Sequence, residues 1–259
     1  PHLDALAAGG RRYRGFHTTA LCSPTRASLL TGRNHHAVGM GMIADMCTGF
    51  PGYLGQVTQH AATIPEMLRP SGYSTFATGK WHLTRAREMT AAGPFGQWPL
   101  GRGFDRFHGF LYSLVDQWHP ELVSDNHFIP APSRPGYHLS EDLVDQTIGM
   151  IRDQQAGVPG RPFFAYLAFG ACHSPHQAPK DYIEKYRGRF DAGWDVMRER
   201  WHARQIELGI IPPDTVLTDI NADVQPWASM TEDERRLCAR QQEVFAGFLT
   251  HTDYHYGRL

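Results

Sequence analysis

The chain has 259 residues, of which 41% are hydrophobic and 20% charged, and its formal net charge is −1. These values are ordinary for a globular protein. The near-zero charge gives no electrostatic case for binding nucleic acid or an anionic membrane. The longest apolar run, 163–169, has the length of a strand and is far too short to span a bilayer. The four cysteines have neither metal-ligand spacing nor a disulfide framework, so they leave the compartment open.

The first third of the chain predicts two helices and two strands. A short helix begins after Pro1 and ends at Gly9-Gly10, and a strand follows over 13–19. A second helix begins with Ser23 as N-cap and Pro24 in the first helical position, and ends at Gly32. Thr63-Ile64-Pro65-Glu66 is a capping box that starts a helix ending near Gly72, and a strand follows over 73–78.

The rest of the chain continues the alternation of helices and strands. Helical spacing of apolar residues predicts a helix over 141–154, and the apolar run 162–169 is typical of a buried parallel strand. A capping box formed by Thr231 and Glu234 starts a last helix. We predict long loops over 89–135 and irregular structure over 211–227. The pattern predicts one domain of the α/β class, with a mostly parallel sheet flanked by helices.

Cys22 lies in Cys22-Ser23-Pro24-Thr25-Arg26, just before the N-terminus of the predicted second helix. Free backbone N–H groups and the helix dipole favour an anion there. Arg26, about one turn into the helix, adds a guanidinium suited to a tetrahedral oxyanion. These features favour an anionic ester as ligand, although an isolated cysteine in such a turn is also typical of a buried structural residue.

Three polar clusters follow predicted strands: Cys22 to Arg26, Lys80 to His82, and His173 to His176. Because ligands bind outside the carboxyl ends of parallel strands, we expect the three clusters to share one site. Taken alone, Lys80 and His82 are equally compatible with an exposed loop, and His173 with a turn whose backbone satisfies the imidazole.

The string from Cys22 through Ala27-Ser28-Leu29-Leu30-Thr31-Gly32-Arg33 resembles the signature of the formylglycine-dependent (type I) sulfatases of the alkaline-phosphatase-like superfamily. Gly79-Lys80-Trp81-His82 resembles the second sulfatase signature, and His173-Ser174-Pro175-His176 the family's His-x-Pro segment. The resemblance extends over nearly the whole chain, to His251-Thr252-Asp253-Tyr254-His255. Within that family, the chain resembles the arylsulfatase group.

The resemblance implies hydrolysis of a sulfate monoester by a formylglycine hydrate made from Cys22 by a maturing enzyme. It implies catalytic roles for Cys22, Arg26, Lys80, His82 and His173. Lys80 and His173 would also contact the substrate's sulfate group, and His176 is a weaker candidate for the same contact. The implied partners are a small sulfate ester and a formylglycine-generating enzyme.

The family's calcium site is the main departure from this resemblance. The family holds calcium with an Asp-Asp pair early in the chain and an Asp-Asn pair late in it, together with residue 22 in its formylglycine form. No Asp-Asp pair occurs here, and Asp125-Asn126 lies at the wrong point in the order. We therefore expect a partial catalytic domain over 1–259 that lacks the first strand and the C-terminal part, with weak calcium binding and little activity.

Three other functions remain open at the level of sequence. Phosphonate and phosphate monoester hydrolases of the same superfamily share the Cys-x-Pro-x-Arg pattern. A non-catalytic homologue could keep the fold as a binding module, although the joint presence of the five candidate catalytic residues counts against it. A hydrolase using unmodified Cys22 as a thiolate is also chemically reasonable.

Overall fold

A computed structural model describes residues 1–259, which form two compact units. The sheet unit comprises 17–175 and 255–259, and the helical unit comprises 1–16 and 176–254. The helices are α1 (His2–Ala8), α2 (Cys22–Thr31), α3 (Ile64–Leu68), α4 (Leu139–Gly157), α5 (Lys180–Glu184), α6 (Gly193–Glu207) and α7 (Glu232–Tyr256). None of these helices combines the length and the apolar character that crossing a membrane requires.

The sheet unit is built on five strands: β1 (Ser74–Lys80), β2 (Arg106–Phe110), β3 (Leu122–Ser124), β4 (His127–Ile129) and β5 (Phe163–Ala168). Their order across the sheet is β4-β3-β2-β1-β5. β1 pairs in parallel with both β2 and β5, whereas β3 is antiparallel to β2 and to β4. The predicted α/β class is therefore confirmed, and the sheet is mixed, with a parallel centre and an antiparallel hairpin at one edge.

Helices α2 and α4 cover opposite faces of the sheet. Ala77 of β1 belongs to the hydrophobic cluster that contains Ala27 and Leu30 of α2. The next residue, Thr78, hydrogen-bonds through its hydroxyl to Thr147 of α4. Successive side chains of a strand point to opposite faces, so β1 is covered on both sides. All seven of its residues are buried as a result.

Two glycines allow the strands to approach closely just before Lys80. Gly79 has φ +98°, and a Cβ on it would lie 1.9 Å from the carbonyl oxygen of Ala168 in β5. A Cβ on Gly109 of β2 would lie 2.0 Å from the carbonyl oxygen of Gly79. Only glycine fits at such approaches. The carboxyl end of β1 is thereby held tightly between its neighbours at the point where Lys80 begins the polar cluster.

Several predicted elements need correction. Residues 13–19 form no strand, since no other segment pairs with them and most of them are exposed. The region 89–135 contains β2, β3 and β4, whose lengths of three to five residues are too short for a clear period. The sequence pattern also missed α6. The apolar strand β5 is half-exposed rather than buried, because it lies at the edge of the sheet.

The predicted capping box at Thr63 is confirmed and offers a test of local stability. The Thr63 hydroxyl accepts a hydrogen bond from the Glu66 backbone N–H and donates one to the carbonyl of Arg102 at 2.8 Å. Thr63 is 1% exposed. We expect T63A to lower the free energy of unfolding by about 1–2 kcal/mol, because a cap and a buried hydrogen bond are both lost.

Urea denaturation measures this loss, with T231A as the matched control. Thr231 forms the same capping box with Glu234 at the start of α7, and its side chain makes no hydrogen bond to another element. An equal loss of stability in the two variants would contradict the contribution that we assign to the buried bond with Arg102.

Candidate active site

Cys22 is the first residue of α2 rather than the residue before it. The N-cap is Leu21, with extended backbone and no side-chain cap. The Ser23 hydroxyl, predicted to cap the helix, instead donates a hydrogen bond to the carbonyl of His82 at 2.7 Å. The predicted C-terminal glycine is confirmed, since Gly32 has φ 66° and follows the last residue of the helix. Cys22 therefore lies at the N-terminus of a ten-residue helix, where the helix dipole is positive.

His82 lies next to Cys22, as expected of two clusters that share a site. Its Nδ1 is 3.1 Å from the Cys22 Sγ, and the residue is completely buried. It follows β1 by two residues and has φ 53°, a left-handed conformation that costs a non-glycine residue about 1–3 kcal/mol. The His82 N–H donates to the carbonyl of Leu111 at 3.1 Å, and its own carbonyl accepts from Ser23. These two bonds hold the strained backbone that directs the imidazole towards Cys22.

Asp45 completes a chain of contacts that begins at Cys22. Its Oδ2 is 3.0 Å from Nε2 of His82. Asp45 lies in a single turn of 3-10 helix, Ala44–Met46. Sequence reasoning missed this residue, because a lone aspartate in an irregular segment carries no signal that distinguishes it from a surface carboxylate.

Arg26 is fixed against the carboxyl end of β1. Its Nη1 donates to the backbone carbonyl of Lys80 at 2.7 Å and to the Tyr166 hydroxyl at 3.2 Å. Its Nε is buried and has no hydrogen-bond partner. The contact with Lys80 joins two of the three predicted clusters, and the guanidinium is held one turn from Cys22.

The charges around Cys22 favour a thiolate. Burial raises the pKa of the thiol. The hydrogen bond and charge of His82 and the charge of Lys80 have a larger, opposite effect, so that the pKa is lowered to about 6. Burial also lowers the pKa of the Lys80 ammonium, partly offset by the neighbouring Cys22. Residue 22 thus lies in an electropositive environment that stabilises an anion.

The reactivity of Cys22 can be measured against that of Cys172. Both are half-buried, but burial raises the pKa of Cys172 to about 11. At pH 7 we expect iodoacetamide to alkylate Cys22 faster by on the order of 10²-fold, because its larger thiolate fraction outweighs its lower intrinsic nucleophilicity. Below pH 6 the rate at Cys22 should fall as the thiolate is protonated, and above pH 7 it should be flat.

Peptide mass spectrometry over a pH series separates the two cysteines, and H82A is the informative variant. Loss of the imidazole should move the Cys22 profile to higher pH and leave Cys172 unchanged. Equal alkylation rates of the two thiols at pH 7 would contradict the electrostatic assignment.

Of the two remaining candidates, His173 belongs to the sheet unit and His176 to the helical unit. His173 is exposed, and its Nδ1 lies 2.8 Å from the carbonyl oxygen of Ser174. None of its hydrogen bonds reaches Cys22, Lys80 or His82. His176 belongs to the helical unit, where its ring packs edge-on against Phe245 with centroids 5.4 Å apart.

Calcium binding depends on the number and kind of oxygen ligands that a site offers. Calcium takes six to eight oxygen ligands, mostly carboxylates and carbonyls. No cluster of three or more His, Cys, Asp or Glu side chains in residues 1–259 is arranged to hold a metal ion. Asp125 of the Asp125-Asn126 dipeptide instead forms an ion pair with Arg106 at 3.1 Å, in the turn between β3 and β4. The residues present therefore do not fit a calcium site.

Comparison with known proteins decides the family. The Sulfatase family model matches residues 1–259. The chain belongs to the sulfatase family. It is 30% identical to the arylsulfatase of Klebsiella aerogenes over 274 aligned residues, which cover 100% of this chain and 56% of that protein. It is 42% identical to human arylsulfatase A over 213 residues, covering 73% of this chain and 40% of that protein.

An uncharacterized sulfatase of Schizosaccharomyces pombe is 33% identical over 274 residues, covering 100% of this chain and 49% of that protein. The chain thus spans about half the length of the curated relatives that match all of it.

Solved structures support the same fold. A Bacteroides fragilis protein described as a sulfatase matches with a TM-score of 0.66 at 20% identity, covering 100% of this chain and 51% of that one. The phosphonate monoester hydrolase of Agrobacterium radiobacter matches with a TM-score of 0.52 at 22% identity, covering 100% and 53%. These likenesses show the alkaline-phosphatase-like fold that sulfatases have in common with neighbouring hydrolases.

Proposed function

We propose that this sulfatase-family chain is part of a sulfuric ester hydrolase of the arylsulfatase type, and that it supplies the nucleophile of that enzyme. The observation that carries the proposal is the position of residue 22, at the N-terminus of α2 with the imidazole of His82 at 3.1 Å. Lys80 and Arg26 add positive charge around the same atom. A sulfate monoester is an anion, and negative charge develops on its leaving oxygen during cleavage, so this electropositive environment suits it.

In this proposal, formylglycine made from Cys22 supplies, when hydrated, two hydroxyls on one carbon, one to attack sulfur and one to help expel sulfate. His82 Nδ1 accepts a proton from a hydroxyl at residue 22. The Lys80 ammonium and the first N–H groups of α2 bind the sulfate oxygens, while Arg26 fixes the carbonyl of Lys80 and so the position of that lysine. His173 remains the proposed donor of a proton to the leaving oxygen, with His176 a weaker candidate for substrate contact.

No step is assigned to calcium, because the residues of this chain do not fit it. In the family, carboxylates outside the matched signatures hold that ion beside residue 22. We therefore propose that residues 1–259 by themselves turn over sulfate esters weakly. Kinetic tests use a family-length protein, in which residues 1–259 are extended to the length of the curated relatives, for example with the remaining segments of the Klebsiella aerogenes arylsulfatase.

A phosphonate or phosphate monoester hydrolase is the second candidate function. The Agrobacterium radiobacter hydrolase has the same fold, and phosphonate and sulfate esters present similar tetrahedral oxyanions. At 22% identity that likeness concerns the fold alone, whereas the sequence relatives above 30% identity include human arylsulfatase A. The balance favours sulfate.

Competition between substrates tests this proposal. The family-length protein is co-expressed with a formylglycine-generating enzyme, the proposed maturation partner, and supplied with an aryl sulfate or the matching aryl phosphonate. We expect the larger kcat/KM for the sulfate. Faster turnover of the phosphonate would transfer the proposal to the second candidate, and turnover of neither by protein with matured residue 22 would support a non-catalytic homologue.

A further inference from the structure

We propose that Asp45 is a positioning residue that determines which ring nitrogen of His82 is free to accept a proton at residue 22. The Asp45 Oδ2 lies 3.0 Å from Nε2 of His82, and Nδ1 of the same ring lies 3.1 Å from the Cys22 Sγ. An ionised carboxylate is an acceptor only, so Nε2 must carry a proton to hydrogen-bond with it. In the neutral ring, Nδ1 then presents its lone pair to residue 22.

The surroundings hold Asp45 and His82 in one network. The Ser23 hydroxyl donates to the carbonyl of His82 at 2.7 Å and accepts from the N–H of Ala44, the residue before Asp45, at 3.1 Å. One side chain on the first turn of α2 therefore fixes the backbone beside both partners of the Asp45–His82 contact. The distance between the Asp45 carboxylate and the His82 imidazole therefore depends on two backbone segments that are both hydrogen-bonded to α2.

Because His82 is buried, its Nε2 depends on a protein side chain for a hydrogen bond. His82 is 0% exposed, so water does not offer its Nε2 an alternative partner, whereas the Asp45 side chain is 32% exposed and keeps part of its hydration. A partner that orients an imidazole and fixes its tautomer acts on catalysis without touching the substrate. Asp45 acts on residue 22 only through His82.

The inference rests on the proposed function only for its effect on turnover, because the tautomer is measured without any reaction. The probe is the 259-residue chain labelled with ¹⁵N-histidine in a C22S background, where a hydroxyl replaces the thiol and no thiolate charge acts on the ring. Two-bond ¹⁵N–¹H correlation spectra, recorded at a pH where the ring is neutral, distinguish a protonated ring nitrogen from an unprotonated one. H82Q assigns the resonances.

With Asp45 present, we expect Nε2 to be protonated and Nδ1 unprotonated. In D45N the amide can present either its NH₂ or its oxygen to Nε2, so the Nδ1 shift should move towards the protonated value. D45E, which restores a carboxylate at the partly exposed position, should return the shift most of the way. A neutral proton on Nδ1 with Asp45 present, or unchanged ring shifts in D45N, would overturn the proposal.

The His108–Asp142 pair is a matched internal control. Its Nε2–Oδ2 distance is also 3.0 Å, it lies in the same sheet unit, and it makes no contact with Cys22. Unchanged His108 shifts in D45N show that the sheet unit is folded. If the His108 shifts are displaced in D45N, D45E becomes the deciding variant. Recovered His108 shifts together with an unprotonated Nδ1 of His82 in D45E would then support the proposal. A protonated Nδ1 of His82 in D45E would refute it.

Turnover supplies a second readout in the family-length protein. We expect D45N to lower kcat by about 10–10²-fold with little change in KM, and D45E to recover part of the loss. A shift of the tautomer in a protein that hydrolyses no ester would leave the positioning role intact and contradict only the proposed function. An unchanged kcat in D45N, in a protein that is otherwise active, would refute the role in catalysis.

Discussion

Replacing Cys22 by alanine is expected to lower hydrolysis of an aryl sulfate by the family-length protein by at least about 10⁴-fold, the scale on which loss of an enzymatic nucleophile acts. The physical reason is the position of the residue. Cys22 is where the N-terminus of α2, the imidazole of His82 and the charge of Lys80 act on a single atom.

Maturation gives the same experiment a chemical readout. Intact-peptide mass spectrometry across Cys22, after co-expression with a formylglycine-generating enzyme, should show a residue that has lost sulfur and two hydrogens and gained one oxygen. C238A is the matched control, since Cys238 lies on α7 in the helical unit and should neither be modified nor affect turnover. An active protein with an ordinary cysteine mass at residue 22 would instead support a thiolate mechanism.

Replacing Lys80 by methionine is expected to lower kcat by about 10²–10³-fold, as the loss of one donor to a developing oxyanion does elsewhere. Lys80 is 4% exposed at the end of β1. Methionine is apolar and similar in length, so it should fill the same space while the charge is lost. The expected effect is therefore on the reaction and on the anionic ligand rather than on folding.

K180M separates a local effect of Lys80 from a general effect of charge. Lys180 is exposed at the start of α5, so its loss changes the net charge equally without altering the site. Steady-state kinetics on the three proteins, with a thermal melt of each, complete the comparison. A K80M protein with kcat within about twofold of the parent would remove Lys80 from the proposed machinery, since even a weak oxyanion donor contributes more than that.

Elements predicted correctly from the sequence are those set by signals within a few residues. The capping box at Thr63, the left-handed glycine after α2 and the apolar periodicity of α4 all act inside one or two helical turns. Short strands such as β3, with three residues, carry too little pattern to be recognised, because pairing across the sheet stabilises them. The composition of β5 does predict a strand, but not how exposed that strand is, because its exposure depends on its position at the edge of the sheet.

For the site, the sequence by itself determined the residue types: a cysteine at a helix start, an arginine one turn on, and a lysine and histidine at the end of a strand. The tertiary structure decided their relations. Cys22 meets His82 across 60 residues, and His82 meets Asp45 across 37. Such contacts depend on how α2, β1 and the turn at Ala44 pack together. Local sequence does not encode that packing, so Asp45 and the orientation of His82 became visible only in the folded chain.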